Sequence, residues 1–408
     1  MRLLVLDHYF QQDIESLREA LGDSGEIRVV SYDLLRREAL KVFPPEVATG
    51  LEPYARPEWE GYRREYSGRL KRLLEELYME REFDAFVSPS DAFFYVRAAP
   101  EAAHALGVPF LVAQKETTIT DHTMRVHSEL VGAYAPPVAD HMTVCSERHK
   151  RFWLRAGGDP ERITVTGQPR FDVYATAPSA RSGGPPVALF FSYAADSYHP
   201  SDGTGASVWS QLHQETEAGL ARLAESGWTV LVKPHPQQDV SRLALGSGVS
   251  LVDPQTDTRE LIADASVAIG FQTTALLECM LAGTPVVYTG WDAEAQRLSA
   301  ELIPFHEWGD VIDVVLRPEE LAPTVEVARG RARDGWADRR RAIAEEFLGP
   351  VDGGASVRTL QTIRSCVETF ELQRDQTVQR RREELAGRRP PLKRRARSGL
   401  DRLRRAVR

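Results

Sequence analysis

A histidine held between two prolines is the residue of this chain best placed to bind an anion. Lys233-Pro234-His235-Pro236 directly follows the apolar run WTVLV. Proline fixes its own φ and pushes the residue before it toward extended geometry, so the His235 ring should be presented rigidly. An imidazole beside an ammonium group suits a phosphate. The pattern indicates a phosphate site at Lys233 and His235. A sharp turn with an incidental histidine is the alternative.

A second polar cluster, Gln272-Thr273-Thr274, follows the apolar run SVAIGF and precedes the helical pattern ALLECMLAG. A threonine at a helix start caps free N–H groups, and the same helix end favours a phosphate. Capping alone is the alternative. Glu278, one turn further on, either accepts ribose hydroxyls or is a solvated surface acid. The 38 residues from His235 to Thr273 match one βαβ unit, so both can lie at one sheet edge.

Ser192-Tyr193 ends a third candidate segment, the run VALFFSY, and the glycine-containing stretch HPSDGTG follows at 199–205. Backbone N–H groups of such a turn can bind phosphate. The stretch fits neither GxGxxG nor the GxxxxGK[ST] pattern, so a plain flexible loop is an equal alternative. We include Ser192 in the predicted phosphate site.

A carboxylate at a strand end is the expected general base. Glu116 follows the apolar run VPFLVA and is the first candidate, since a carboxylate there can accept the proton of an attacking hydroxyl. Asp7, His8 and Asp91 also follow strand-like runs and compete for this role. For each of the four, a surface or capping function is the alternative.

No bound metal or disulfide is expected from the spacing of the potential ligands. His122 and His127, near Asp121, do not fit a pattern such as HExxH. The three cysteines are odd in number, far apart and form no CxxC pair.

Strand-like and helical runs alternate along most of the chain, which predicts an α/β fold with two doubly wound, Rossmann-like parallel sheets. The length of 408 residues also favours two domains. One long amphipathic helix is expected over 51–82. The predicted segments are a first Rossmann-like domain at 1–176, a linker at 177–186, a second Rossmann-like domain at 187–350, a helix packing back at 351–373 and a basic tail at 374–408.

Charge is distributed unevenly. The formal net charge is −8, yet residues 374–408 hold fourteen Lys or Arg and four acids. Such a tail suits an anionic membrane surface. A solvated disordered tail and, less favoured, a nucleic-acid contact are the alternatives. The chain has no apolar run near the length of a membrane-spanning helix. The apolar run near Met1 is too short for the core of a secretory signal. We expect a cytoplasmic enzyme, peripheral at the inner face of the plasma membrane.

Four motifs together resemble a family of bacterial envelope enzymes. They are GQPRFD at 167–172, VKPHPQ at 232–237, DASVAIGFQTTALLECMLAGTPVV at 264–287 and FLGPVDGGASVRTLQTI at 347–363. The chain is similar in these segments to the GT-B-fold transferases of the CDP-glycerol glycerophosphotransferase, capsular polysaccharide and sialyltransferase type.

The resemblance implies two Rossmann-like domains facing a cleft, an acceptor domain at 1–176 and a nucleotide-donor domain at 187–350. In the second, His235, Pro236, Thr273 and Thr274 would lie at the donor's phosphates. It also implies catalysis without a bound metal, in which His235 and Lys233 stabilise the leaving nucleotide and Glu116 is the base. Two positions depart from the pattern: Lys115-Glu116 stand where glycerophosphotransferases have His-Gly, and threonines replace the donor-site serines.

The function expected at this point is transfer of a sugar or glycerol phosphate from a CDP-, CMP- or UDP-linked donor to a glycan or lipid-linked acceptor, without a cofactor. A non-hydrolysing UDP-sugar 2-epimerase shares the architecture, although GFQTT replaces its usual DSGG-like loop. A non-catalytic nucleotide-binding scaffold is the third hypothesis.

Overall fold

The computed structural model describes residues 1–115, 118–176, 185–193, 205–235, 238–291, 301–330, 336–373 and 376–387. The chain forms two compact units. The first comprises the described residues of Met1–Thr117, Met124–Asp172 and Leu348–Arg408, and the second those of Thr118–Thr123 and Val173–Phe347. The predicted linker lies outside the described residues except for Pro185 and Pro186.

The first unit is built on a six-stranded parallel sheet with strand order β2-β1-β3-β4-β5-β6. The inner strand β1, next to the edge strand β2, is apolar and fully buried from Leu3 to Leu6, as a strand covered on both faces must be. The strands are β1 (Arg2–Asp7), β2 (Glu26–Ser31), β3 (Ala85–Ser88), β4 (Phe110–Ala113), β5 (His141–Val144) and β6 (Ile163–Val165).

The second unit repeats this architecture in the strand order β12-β11-β10-β7-β8-β9, again parallel throughout. Its strands are β7 (Val187–Phe191), β8 (Thr229–Lys233), β9 (Val249–Leu251), β10 (Val267–Gly270), β11 (Val286–Thr289) and β12 (Asp313–Val315). The predicted fold class of two Rossmann-like domains is therefore confirmed.

Helices connect the strands. They are α1 (Gln11–Leu21), α2 (Tyr32–Leu40), α3 (Leu51–Ala55), α4 (Glu60–Glu80), α5 (Ala99–His104), α6 (Ser128–Tyr134), α7 (Glu147–Arg155), α8 (Gly205–Glu225), α9 (Thr258–Asp264), α10 (Thr274–Ala282), α11 (Leu321–Gly330), α12 (Trp336–Leu348), α13 (Ala355–Leu372) and α14 (Gln376–Gly387). Within the described ranges, no helix is both long enough and apolar enough to cross a bilayer.

The prediction of a single helix over 51–82 is wrong. The segment divides into α3, a short 3-10 turn at Pro57–Trp59 and α4. Arg56 adopts φ −58° and ψ 137°, because a residue before proline is sterically disfavoured in the helical region. The apolar side of α4 is nevertheless the predicted one, with Leu70, Leu74 and Leu77 buried.

Two of the motifs that carry the resemblance contact each other in the first unit. Both carboxylate oxygens of Asp172 accept hydrogen bonds from the first turn of α13, from Ala355 N and Ser356 N, each at 2.8 Å. The residue before that helix is Gly354, which has no side chain to cap it. Asp172 supplies the cap from a distant part of the chain.

Buried Asp13 fixes the other end of the 167–172 motif. One of its oxygens accepts hydrogen bonds from Gln168 Nε2 at 2.6 Å and Arg170 N at 3.2 Å. Gly167 has φ +81°, and an added Cβ there would approach Pro350 O to 2.9 Å. These contacts show that the 167–172 motif organises the first unit and holds α13 against it.

Each sheet has one topological switch point, where successive connections leave in opposite directions. In the first sheet it lies between β1 and β3, and in the second between β7 and β10. Ligands of open α/β sheets bind beyond the carboxyl ends of the strands at such points. The residues that follow β1, β3, β7 and β10 are therefore the first to inspect.

Candidate functional site

Three predicted donor-site segments lie side by side at the carboxyl edge of the second sheet. Phe191, at the end of β7, is paired with Lys233 on one side and with Gly270 on the other. Neighbouring strands are about 4.8 Å apart, so the backbones at Lys233 and Gly270 are separated by about 10 Å. Ser192 and Thr273 follow the two strands that flank the switch point.

Thr273 is the N-cap of α10. Its backbone is extended, with φ −144° and ψ 138°, and its hydroxyl accepts a hydrogen bond from Ala275 N at 3.3 Å. The capping prediction is confirmed. Thr273 and Thr274 are both half-buried. A phosphate role for the two hydroxyls stays a prediction.

Ser192 belongs to a buried polar network that the sequence did not reveal. Its Oγ lies 2.8 Å from His213 Nε2 and accepts a hydrogen bond from Gln238 Nε2 at 2.9 Å. The other ring nitrogen of His213 is 3.5 Å from a carboxylate oxygen of Glu217, one helical turn away on α8. Burial lowers the pKa of His213 to about 4 and raises the pKa of Glu217. In the sequence, the i, i+4 spacing of His213 and Glu217 was the one feature that could have indicated this network.

Gln238 connects Ser192 to the turn that carries His235. Gln238 N donates to His235 O at 2.9 Å, and its side-chain Oε1 accepts from His235 N at 3.3 Å. Its Nε2 also donates to Tyr193 O at 3.1 Å. The backbone at His235 is thereby fixed beside the end of β7, while the residue itself is exposed. Pro236 lies outside the described residues.

Lys233 is buried rather than presented to solvent. Its Nζ donates to Pro254 O, and burial lowers the pKa of its ammonium group, with Asp253 and Asp257 acting in the opposite direction. The ammonium group has three N–H donors, so this bond occupies one of them, and a phosphate contact by Lys233 stays a prediction.

Gln272 is engaged inside the second unit, and a donor contact by this residue stays a prediction. Its Nε2 donates to Tyr288 OH at 3.0 Å and to Ile303 O at 3.1 Å, and its Oε1 accepts from Ile303 N at 2.7 Å. The side chain is 3 % exposed. All of its amide groups have partners, so Gln272 joins the end of β10 to Ile303.

Glu278 is also buried, so the surface-acid alternative is wrong. It lies in α10 at 5 % exposure and accepts a hydrogen bond from Tyr174 OH at 2.8 Å. A ribose contact by Glu278 stays a prediction.

The candidate bases of the first unit have different environments. Glu116 lies outside the described residues. Asp91 is fully buried, and one of its oxygens accepts from Val138 N and Ala139 N at 2.7 and 3.1 Å. Its other oxygen is buried without a hydrogen-bond partner among the described residues, and burial raises the pKa of the carboxyl, so a role of Asp91 as the base stays a prediction. Asp7 accepts from Phe10 N and Gln11 Nε2 in the turn into α1, and burial raises its pKa.

His8 is the candidate base with the most defined surroundings. Its Nδ1 lies 2.7 Å from Tyr95 OH, and its ring stacks on Tyr32 with centroids 4.3 Å apart. Burial, followed by the charge of Lys115, lowers its pKa, so the neutral imidazole persists to lower pH than in a free histidine. Among the described residues, no group of three or more His, Cys, Asp or Glu side chains is arranged to hold a metal ion.

The fold is similar to that of solved UDP-N-acetylglucosamine 2-epimerases. One assigned as such from Listeria monocytogenes gives a TM-score of 0.54 at 16% identity, covering 90% of this chain and 97% of that chain. The Neisseria meningitidis enzyme, solved with UDP-GlcNAc, gives 0.51 at 12%, with 90% and 100% covered. The Methanocaldococcus jannaschii enzyme gives 0.51 at 14%, with 89% and 99% covered. No protein-family model and no curated protein matches the sequence.

Proposed function

We propose that this chain is an enzyme that acts on a nucleotide-linked sugar and binds the nucleotide's phosphates at the switch point of the second sheet. The arrangement around β7 carries the proposal. On one side Gln238 fixes the His235 turn to Ser192, and on the other Thr273 opens α10 beside the same strand. An imidazole, two hydroxyls and a helix N-terminus are the groups that stabilise charge on a departing phosphate.

Two reactions fit such a site. Non-hydrolysing 2-epimerisation of a UDP-sugar is supported by the similarity of the fold to solved 2-epimerases over about nine tenths of the chain. We place it first.

Transfer of a sugar or glycerol phosphate to an envelope glycan is the second candidate. It is supported by the four motifs shared with GT-B envelope transferases and by GFQTT in place of the epimerase loop. Contact of the basic tail with an anionic membrane would suit a lipid-linked acceptor.

A panel of nucleotide-linked donors separates these reactions. The protein is incubated with UDP-GlcNAc and with other UDP-, CDP-, CMP- and GDP-linked donors, with and without a glycan acceptor, and anomeric signals are followed by NMR. New sugar stereochemistry on an intact nucleotide supports epimerisation. Nucleotide release that requires the acceptor supports transfer. Thermal stabilisation by a nucleotide without turnover supports the scaffold hypothesis. If none of the donors stabilises the protein, the proposal is contradicted.

A further inference from the structure

A continuous series of polar contacts connects the main chain at His235 with a buried carboxylate on α8. His235 N donates to Gln238 Oε1 at 3.3 Å, and Gln238 Nε2 donates to Ser192 Oγ at 2.9 Å. Ser192 Oγ is 2.8 Å from His213 Nε2, and His213 Nδ1 is 3.5 Å from a carboxylate oxygen of Glu217. This polar series joins the residues that follow β7 and β8 to α8, all within the second unit.

The charge of Glu217 bears on which ring nitrogen of His213 carries the proton. Burial lowers the pKa of His213 to about 4, so near neutral pH the ring holds a single N–H. The rings of Phe190 and Tyr193 lie 5.8 and 5.1 Å from the imidazole and fix its plane. A carboxylate that faces Nδ1 favours the proton on that nitrogen, because its negative charge stabilises an N–H there. Nε2, which faces Ser192, is then an acceptor.

With Nε2 as an acceptor, the bonds of the Ser192 hydroxyl are assigned. A hydroxyl supplies one proton and two lone pairs. The proton goes to His213 Nε2, and one lone pair accepts the N–H of Gln238. The lone pair that remains cannot bind a phosphate oxygen, which is itself an acceptor. The buried Ser192 hydroxyl therefore has no proton to offer a phosphate while His213 carries its proton on Nδ1.

Gln238 links this hydroxyl to the turn that carries His235 by bonds at both ends of its side chain. Nε2 donates to Tyr193 O at 3.1 Å as well as to Ser192, and Oε1 accepts from His235 N. Gln238 N donates to His235 O at 2.9 Å. The side-chain amide is thus used as a donor on one side and as an acceptor on the other. A shift of the Ser192 hydroxyl must move or break the Gln238 contacts that hold the His235 main chain.

We propose that Glu217, His213, Ser192 and Gln238 are positioning residues, which hold the His235 main chain so that its ring meets a phosphate. In this arrangement each N–H or O–H of the polar series points toward Glu217, and aligned hydrogen bonds strengthen one another. Ser192, one of the predicted phosphate ligands, acts on the phosphate only through Gln238 and His235. The inference rests on the proposed function and adds the groups that set the geometry of its phosphate site.

The position of the proton on His213 is the first test, and it needs no substrate. The full chain with ¹⁵N-labelled imidazoles is studied by NMR near neutral pH, and the His213 signals are assigned by their loss in His213→Gln. The ¹⁵N shifts of a neutral histidine show which ring nitrogen is protonated, and Nδ1–H is expected. Glu217→Gln removes the charge and should raise the share of Nε2–H. An Nε2–H tautomer in the natural chain overturns the inference, because Ser192 could then donate to a phosphate.

Hydrogen exchange at the His235 amide tests whether the polar series holds the turn. His213→Phe keeps an aromatic ring without an acceptor, and exchange should become faster by about tenfold or more. His213→Gln keeps an acceptor for the serine hydroxyl and should stay close to the natural chain. Gln238→Met should also exchange faster, and its control is Gln211→Met, because Gln211 is an exposed glutamine of α8. Thermal unfolding verifies that each variant is folded. Natural exchange rates in both His213→Phe and Gln238→Met overturn the inference.

Kinetics of a double variant separate a positioning role of Ser192 from a direct phosphate contact. Ser192→Ala and Gln238→Met interrupt the same series, so each should lower kcat about tenfold with a smaller change in KM. The double variant should lose no more than the more affected single variant, since the second change removes a link that is already broken. Losses that multiply would show that the two residues act independently, and the inference would be wrong.

These results are distinguishable from a failure of the proposed function. An Nε2–H tautomer together with turnover of a nucleotide-linked donor overturns the positioning role and leaves the proposed function standing. If the tautomer and exchange results are as expected but UDP and every donor fail to shift the His235 ring signals, the phosphate site is contradicted, and the proposed function with it.

Discussion

His235 is the residue on which the proposed phosphate site most depends. Replacement by alanine removes a preorganised donor next to the developing charge, and turnover should fall by about 10²-fold or more. Steady-state kinetics with the donor found by the panel measures the effect. His306→Ala is the matched control, since His306 is a half-exposed histidine of the same unit that pairs with Glu307. Near-normal turnover of His235→Ala would exclude the phosphate role.

The burial of His213 leads to a prediction about how the stability of the protein depends on pH. Its pKa is near 4 in the folded protein and about 6.5 in an unfolded chain, so between these values the unfolded state binds more protons. Stability should therefore fall as the pH drops from about 6.5 toward 4, with a contribution from this group on the order of 2 to 3 kcal/mol.

Urea unfolding at about pH 7 and about pH 5 tests this prediction. His213→Gln keeps a hydrogen-bonding group near Ser192 without a titrating ring, and it should lose less stability over this interval than the natural chain. Equal pH dependence in the two proteins would show that His213 does not titrate as its burial indicates.

At the scale of elements, Asp172 is the residue that secures α13. Asp172→Ala leaves two N–H groups of the helix start without their acceptor and should destabilise the first unit by about 1 to 2 kcal/mol. Thermal unfolding followed by circular dichroism measures this loss. Asp352→Ala is the control, because Asp352 is an exposed partner of Arg358. Comparable losses in the two variants would contradict a special role for Asp172.

At the scale of the whole molecule, part of the predicted basic tail belongs to the first unit. Within α14, Arg381 pairs with Glu75 at 3.1 Å and Arg382 donates to Tyr78 OH at 2.7 Å, both on α4. These two arginines are therefore engaged by the first unit. Residues 388–408, with ten Lys or Arg and one acid, hold most of the remaining positive charge.

A chain ending at Gly387 should lose salt-sensitive binding to anionic vesicles and keep its unfolding temperature. Each cation near an acidic surface contributes about 1 kcal/mol. Co-sedimentation with phosphatidylserine-containing and with neutral vesicles measures the effect. Unchanged binding of the truncated chain would rule out membrane contact through these residues.

The sequence by itself determined the architecture and the position of the donor-site segments. Alternating apolar runs and helical patterns give parallel strands that are buried on both faces, and polar residues just beyond such runs must lie at the carboxyl edge. The Thr273 cap was also predictable from the sequence, because capping depends only on neighbours two residues away.

The tertiary structure alone decided which hydrogen-bond partners the polar side chains have. Gln272 and Asp91 followed strand-like runs as the site residues did, but their partners Ile303 and Val138 are distant in sequence. His213 and Tyr95 were not predicted, because a hydrogen bond across 21 or 87 residues leaves no local pattern. Whether a polar group is satisfied depends on which segments the folded sheet brings together, and the spacing of residues along the chain does not contain that information.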